Sequence, residues 1–273
     1  MTEKRFNGKA IYQPTGKAAE YSPWACNFYT GCSNDCEYCY CKRGVMSHVW
    51  SAEPKLKKCF KDKEHALKVF ERELWMNRKE LADHGLLFSF TTDPLLPQTS
   101  SLTYTAAIMA EKCDVPVKIL TKRADITSDW GLLCLDTELT AIGFTLTGFD
   151  DLEPGASSNQ ERIEAMKELH YMGFKTFASI EPIIDPVKSL DMINATKDVC
   201  DLYKIGTMSG RKMDYKWVDM RRLMDRLVEM SRQGKKIYLK DSFLSYLNIK
   251  REDCPGKFVN SDYNIFCRQY LNT

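Results

Sequence analysis

Short runs rich in β-branched and aromatic residues alternate with longer segments of helical period along this 273-residue chain. That alternation is the pattern of a parallel α/β sheet. The apolar runs predict strands over 24–29, 86–92, 115–121, 139–147, 174–180, 202–206 and 236–240. Between them the period lengthens to that of helices, over 64–83, 99–113, 128–136, 187–199 and 214–232. The 64–83 segment places Leu67, Phe70, Leu74 and Leu81 on one face. A further helix begins at Ser158, which with Glu161 makes a capping box. In the 214–232 segment Trp217, Met220, Met224, Leu227 and Val228 form the expected buried stripe, with Arg222 and Arg226 opposite in solvent. Six or seven β/α units predict an α/β fold, a partial TIM-like (β/α)6-7 barrel of parallel strands with a short C-terminal extension. The expected organisation is an N-terminal extension over 1–23, the barrel over 24–243 and a closing tail over 244–273.

Parallel barrels bind ligands at the carboxyl ends of their strands, so the strand map is also a site map. The first strand runs into Cys32. The ends that follow carry Thr91, Thr92 and Asp93, then Lys122, Thr145, Ser179 with Glu181, Gly206 and Lys240. A charge that ends an apolar strand is costly if buried alone. Asp93, Glu181 and Lys240 are therefore expected to find partners or ligands in the barrel mouth.

The densest chemistry lies in the loop Cys32-Ser-Asn-Asp-Cys36-Glu-Tyr38-Cys39. Its CxxxCxxC spacing supplies three thiolates, whereas an iron-sulfur cluster is ordinarily held by four. One iron would then be open to an outside ligand. Two other readings stay open at this level: a zinc site completed by Cys26 or Cys41, and a fully ligated electron-transfer cluster. Zinc ligands usually come as two separated short pairs, while here three sit in one loop.

The loop, with its aromatic just before the last cysteine, resembles the radical S-adenosylmethionine (SAM) superfamily. The phrases NFYTGCSNDCEYCY, FTTDP, ILTKR, SIEPIIDP, YKIG and YLKDS run in an order similar to the phage-associated three-cysteine radical SAM proteins. Through GCxxxCxYCY the chain is more distantly similar to spore photoproduct lyase and the DNA repair photolyase-like group. The resemblance implies a 4Fe-4S cluster on Cys32, Cys36 and Cys39, with SAM chelating the fourth iron. It implies reductive cleavage of SAM to a 5′-deoxyadenosyl radical and an external electron donor such as flavodoxin or ferredoxin. A nucleic-acid substrate, repaired or modified, is the first expectation, with a peptide or small metabolite as alternatives. By position, Asp93 stands where a GGE-like motif of the superfamily binds the amino group of SAM, although this chain has Thr91, Thr92 and Asp93 there. Glu181 would face the ribose or the substrate, and Lys240 a carboxylate or phosphate. If a thiol returns hydrogen to the product, Cys41 and Cys59 are the nearest in sequence, with Tyr38 and Tyr40 as relays. Free cysteines are otherwise small buried hydrophobes, the expectation for Cys113, Cys134 and Cys200.

Composition changes this picture little. Hydrophobic residues make up 44% and charged residues 28%, as in ordinary soluble domains, and no apolar run approaches a membrane span. Without a secretory apolar core near the start, the eleven cysteines are expected in a reducing, cytoplasmic compartment. Cys254 and Cys267 lack nearby partners, so no second cluster is expected. The net charge of +2 excludes a globally basic nucleic-acid binder. Charge is uneven locally: Lys55, Lys57, Lys58, Lys61 and Lys63 follow the cysteine loop and are the candidates to touch an anionic substrate. No HExxH, GxSxG or P-loop motif supports hydrolysis or phosphoryl transfer.

Overall fold

A computed structural model of the chain describes residues 5–43, 47–48, 50–211 and 213–266. Cys267 lies outside them. The strands are β1 (Ile11–Tyr12), β2 (Ala25–Cys26), β3 (Tyr29–Thr30), β4 (Lys55–Leu56), β5 (Leu86–Phe88), β6 (Val117–Thr121), β7 (Thr140–Thr145), β8 (Lys175–Ile183), β9 (Leu202–Thr207) and β10 (Lys236–Leu239). The helices are α1 (Lys63–His84), α2 (Ser100–Glu111), α3 (Trp130–Leu133), α4 (Asn159–Tyr171), α5 (Pro186–Thr196), α6 (Trp217–Arg232) and α7 (Asp241–Tyr246). One sheet runs β1-β2-β5-β6-β7-β8-β9-β10. All its neighbours are parallel except the β1–β2 pair. This is the partial TIM-like barrel expected. Among the described residues no helix is long and apolar enough to cross a membrane.

The alternation of a strand sets what each face does. Leu86 and Phe88, Val117 and Ile119, Ile142 and Phe144, Ala178 and Ile180, Tyr203 and Ile205, and Ile237 and Leu239 join the core shared with the helices. The intervening residues Leu87, Ala141, Phe177 and Leu202 form a second cluster inside the barrel. Stepping by two from Ala141, Phe177 and Leu202 toward the carboxyl ends reaches Thr145, Ser179, Glu181 and Gly206, and the same alternation puts Lys122 after β6 and Lys240 after β10 on this face. The candidate residues thus share the inner face, which deeper in the barrel also carries Lys118 and Lys204.

The strand predicted over 24–29 is divided. β2 stays in the main sheet, while β3 pairs antiparallel with β4. Asn27 makes the break, accepting from Phe90 N at 2.8 Å and donating to the Tyr12 hydroxyl at 2.7 Å. β1 was not legible in the pattern. It is anchored by Glu73 of α1, a buried carboxylate that accepts from the backbone N–H groups of Lys9, Ala10 and Ile11 at 2.7–2.9 Å. α1 itself begins at an Asp62 cap that accepts from His65 N and ends at Gly85, and it buries Phe70, Leu74 and Leu81. The Ser158–Glu161 capping box is present. Two expectations fail. Trp217, the first residue of α6, is 51% exposed, because Tyr215 fills that part of the core against Tyr246. Cys134 follows α3 and is exposed, whereas Cys113 and Cys200 are buried.

The sheet has β1 and β10 as edges, and the N-terminal segment spans the gap. Lys17 O accepts from Lys240 Nζ at 3.3 Å, Tyr21 O from Lys204 Nζ at 2.5 Å, and the Glu20 carboxylate from the Tyr238 hydroxyl at 3.1 Å. The closing tail also returns to the barrel: Val259 N donates to Ile237 O, and Ile265 packs inside with Tyr21 and Phe177.

Candidate functional site

A cavity of about 700 Å³ opens at the carboxyl ends of the strands. Cys32, Cys36, Cys39 and Cys41 line it together with Tyr38, Tyr40, Thr91, Thr92, Asp93, Lys122, Thr145, Ser179, Glu181 and Lys240. The cysteine loop is set against the segment after β7. Glu37 N donates to Leu152 O and Gly155 N to Asn34 O, at 3.0 and 3.1 Å. Only glycine fits at 155: a Cβ there would lie 2.0 Å from Ser33 O. Of the two thiols named as a fourth ligand for a closed site, Cys26 is fully buried in β2 and does not line the cavity. Cys41 does, and its thiol hydrogen-bonds Cys39, the main reason the Cys39 thiol is lowered to about 6. The same contact, with burial, pushes Cys41 upward. Burial and then the Asp93 carboxylate push Cys32 up to about 12, and burial raises Cys36.

Asp93 does not offer a free carboxylate. Its Oδ1 accepts from Leu95 N at 3.0 Å and Thr121 Oγ1 at 2.7 Å, and its Oδ2 from Asn34 Nδ2 and Lys122 N, both at 2.8 Å. Four donors saturate a carboxylate's lone pairs. Asp93 therefore ties the cysteine loop to the ends of β5 and β6, and all four of its acceptor positions are used where the amino group of SAM was expected. Thr91 donates to Tyr29 O at 2.6 Å, so it too braces the start of the loop.

A buried ionic network lies beside the cysteines, and sequence reasoning did not find it. Arg162 of α4, fully buried, donates to the Glu153 carboxylate and to Thr145 O. Tyr38 OH donates to the other oxygen of Glu153. Lys122 Nζ stands 3.9 Å from Glu153 and 5.4 Å from the Tyr38 ring centre. Burial opposes the Lys122 charge, but the Cys36 thiolate and the Glu153 carboxylate outweigh it and raise its pKa. The signal available was a lone Arg inside an acidic stretch, in register with the buried residues Ile163 and Met166.

Opposite the cysteines, Lys240 Nζ donates to both oxygens of Glu181, at 3.0 and 2.9 Å, and lies 4.7 Å from the Tyr21 ring centre. With Lys17 O as its third acceptor, the ammonium is fully used, and the carboxylate it meets is that of Glu181. Gly206 sits behind this pair, close enough that a Cβ would meet both side chains, but does not line the cavity. Tyr21 OH and Ser179 Oγ hydrogen-bond each other. Tyr40 OH donates to Phe90 O.

Two other expectations are not met. Cys59 is partly buried against the helix-side core and does not line the cavity, because the turn after β4 carries it away from the cysteine loop. None of Lys55, Lys57, Lys58, Lys61 and Lys63 lines it either.

Among the described residues no group of His, Cys, Asp or Glu is gathered to hold a single metal ion, whereas Cys32, Cys36 and Cys39 line one cavity, a soft donor set that suits iron-sulfur ligation. Beside them Asn34 Oδ1 is buried without a hydrogen-bond partner, an acceptor that a donor group bound at the loop would satisfy. The residues present fit a cluster and an amino-bearing ligand.

Comparison with known proteins agrees. The chain is 26% identical over 188 residues to an uncharacterized protein of Methanocaldococcus jannaschii, covering 65% of this chain and 67% of that protein. Among solved structures it resembles a single-site mutant of spore photoproduct lyase, with a TM-score of 0.62 and 13% identity over 84% of this chain and 80% of that one. A double mutant of that enzyme with bound AdoMet and dinucleoside spore photoproduct gives 0.56 and 15%, over 78% and 63%. SuiB of Streptococcus suis gives 0.51 and 14%, over 80% and 49%. At such identities the likeness is one of fold. The family model described as Radical SAM superfamily matches residues 26–199, which include all three loop cysteines and strands β5 to β8 of the barrel. The chain belongs to the radical SAM superfamily, whose members work with a 4Fe-4S cluster and SAM.

Proposed function

We propose that this radical SAM enzyme acts on nucleic acid, repairing a lesion or modifying a base, and that Cys41 returns hydrogen to the product. The observation that carries the reading is the lining of the cavity. Tyr12, Tyr21, Tyr40, Trp50 and Phe90 share it with the three loop cysteines. Aromatic faces stack on nucleobases at about 1–3 kcal/mol per base, and enzymes that do chemistry on a base draw it out of the stack into a pocket. The dinucleoside in a structural neighbour that also holds AdoMet supports the same substrate class.

The bound cofactors supply the one-electron chemistry, reductive cleavage of SAM leading to hydrogen abstraction from the substrate. The chain's own residues position and enclose. Cys32, Cys36 and Cys39 would hold the cluster, and Lys122 would offset the negative charge of the thiolates and offer a cation to the carboxylate of SAM. Thr91 and Thr92 would serve its amino-acid part, and Thr145, Ser179 and the Lys240-paired Glu181 its nucleoside. Cys41 is the thiol that lines the cavity without being one of the three ligands, and Tyr38 and Tyr40 flank its route to the substrate.

Anaerobically purified protein should be brown, with about four irons per chain. On reduction with dithionite it should release 5′-deoxyadenosine and methionine, faster with lesion-bearing or single-stranded oligonucleotides than with peptides. A colourless protein with about one zinc would support a metal-stabilised binder instead, and a brown protein inert toward SAM a redox sensor. Turnover indifferent to nucleic acid would refute the substrate class.

A further inference from the structure

We infer that the exposed lysines of β4 and the start of α1 form the docking face for an acidic one-electron donor protein, of flavodoxin or ferredoxin type. The inference rests on the radical SAM reading, in which each cleavage of SAM consumes one electron. Lys55, Lys58, Lys61 and Lys63 are exposed, and Lys9 joins them through its carbonyl, which accepts from Lys57 Nζ at 2.5 Å. No described carboxylate is ion-paired with any of these. The basic residues on either side are: Lys42 with Asp35 and Lys68 with Glu64. Of the nearby acids, Asp62 is occupied in capping α1. Glu53 is exposed two residues before Lys55, but the five lysines of 55–63 outnumber Glu53 and Asp62 and leave the patch with a net positive charge.

The Lys55 end of the patch also stands beside the cysteine loop. Lys55 pairs with Thr30 across β3 and β4, and Cys32 N donates to Ser51 O at 2.9 Å. Between these contacts a Cβ on Gly31 would meet Ser51 Oγ at 2.3 Å and Glu53 O at 2.4 Å. The segment leading into Lys55 is thus packed on the backbone that carries Cys32, about one strand spacing of ~4.8 Å away. The substrate must be met in the cavity, which none of these lysines lines. A nucleic acid held on this face would gain nothing toward that cavity, whereas an electron donor needs only a short path to the thiolates. Charge complementarity then selects an acidic protein and speeds its approach. At this step the donor is oxidised by one electron and the cluster held by the three cysteines is reduced by one, with no bond or proton exchanged.

The test compares the cluster-loaded wild type with Lys55→Glu/Lys58→Glu and, as a milder change, Lys55→Gln/Lys58→Gln. Binding of a purified flavodoxin is measured by titration, and cluster reduction by stopped-flow absorbance, with no SAM present. Charge reversal should slow reduction by flavodoxin tenfold or more and weaken binding to match, with the glutamine variant in between. Raising salt should slow the wild type and scarcely affect the reversed variant. Reduction by dithionite should be the same in all three. Equal flavodoxin rates and affinities in all three would overturn the docking face. So would a variant that keeps its flavodoxin rate and loses oligonucleotide binding, which would assign the patch to nucleic acid. A wild type that dithionite cannot reduce would instead overturn the underlying cluster reading, and the docking face with it.

Discussion

Replacing Asp93 with Asn separates two roles for the residue that opens the loop after β5. Each carboxylate oxygen accepts one backbone N–H, Oδ1 from Leu95 and Oδ2 from Lys122, besides one side-chain donor. Whichever way an amide is turned, its NH2 faces one of those backbone donors, and one buried N–H loses its acceptor. A hydrogen bond to a charged group contributes about 1.5–3 kcal/mol, and an unsatisfied buried donor costs about 1–3 kcal/mol. Thr121 can rotate its hydroxyl and Asn34 can swing away, so the lasting loss is about 3–5 kcal/mol for a residue 7% exposed. Part of that loss falls on the cysteine loop, because Asn34 lies between Cys32 and Cys36. We expect Asp93→Asn to lower the urea midpoint and to reduce iron per chain after reconstitution, with SAM affinity falling only in proportion to the iron lost. A variant with full iron content, stability within about 1 kcal/mol of wild type and sharply weaker SAM binding would refute the anchoring role and restore Asp93 as a SAM ligand.

Gly155→Ala should displace the cysteine loop, since the added Cβ meets backbone at Ser33; iron per chain should fall, with about 1–3 kcal/mol of stability lost in chemical denaturation. Cys41→Ala and Cys59→Ala should both keep their iron, but only the Cys41 variant should shift products toward unquenched by-products, read by mass spectrometry of the nucleoside pool. Lys118, inside the barrel and donating to His84 O at 2.9 Å, is lowered by burial to about 8. Between that value and the ordinary lysine range the unfolded chain binds a proton that the folded chain does not, so this group makes stability rise with pH. Relative to Lys118→Met, the wild type should gain at most about 3 kcal/mol from pH 8 to pH 10, measured by urea denaturation at each pH; a difference that stays flat across the window would show that the amine is not desolvated.

The cysteine loop was legible because its chemistry is local: three ligands within eight residues need no knowledge of what packs around them. The strands were legible for a similar reason, since burial on both faces of a parallel sheet leaves continuous apolar runs; β6, β7 and β10 fall within the expected spans, while β8 and β9 run on to Ile183 and Thr207, past the expected ends at 180 and 206. β1 escaped because two residues carry no pattern, and a glutamate on another element, Glu73, holds the segment before it. Asp93, Glu181 and Lys240 were correctly expected to need partners. Which partners they have could not be read, because Lys240 meets Glu181 and Asp93 meets Asn34 only once β5, β6, β8 and β10 lie side by side.

What the sequence by itself determined is the barrel, through the two hydrophobic periods, and a three-thiol loop, whose resemblance to a known family rather than its spacing implied the cofactor class. The tertiary structure alone decided which charges are free. It neutralises Glu153 with Arg162, saturates Asp93 and occupies Lys240, while it leaves Lys55, Lys58, Lys61 and Lys63 exposed in solvent. The physical reason is that a buried charge is tolerated only against an opposite charge or aligned dipoles, and those arrive from residues far apart in the chain.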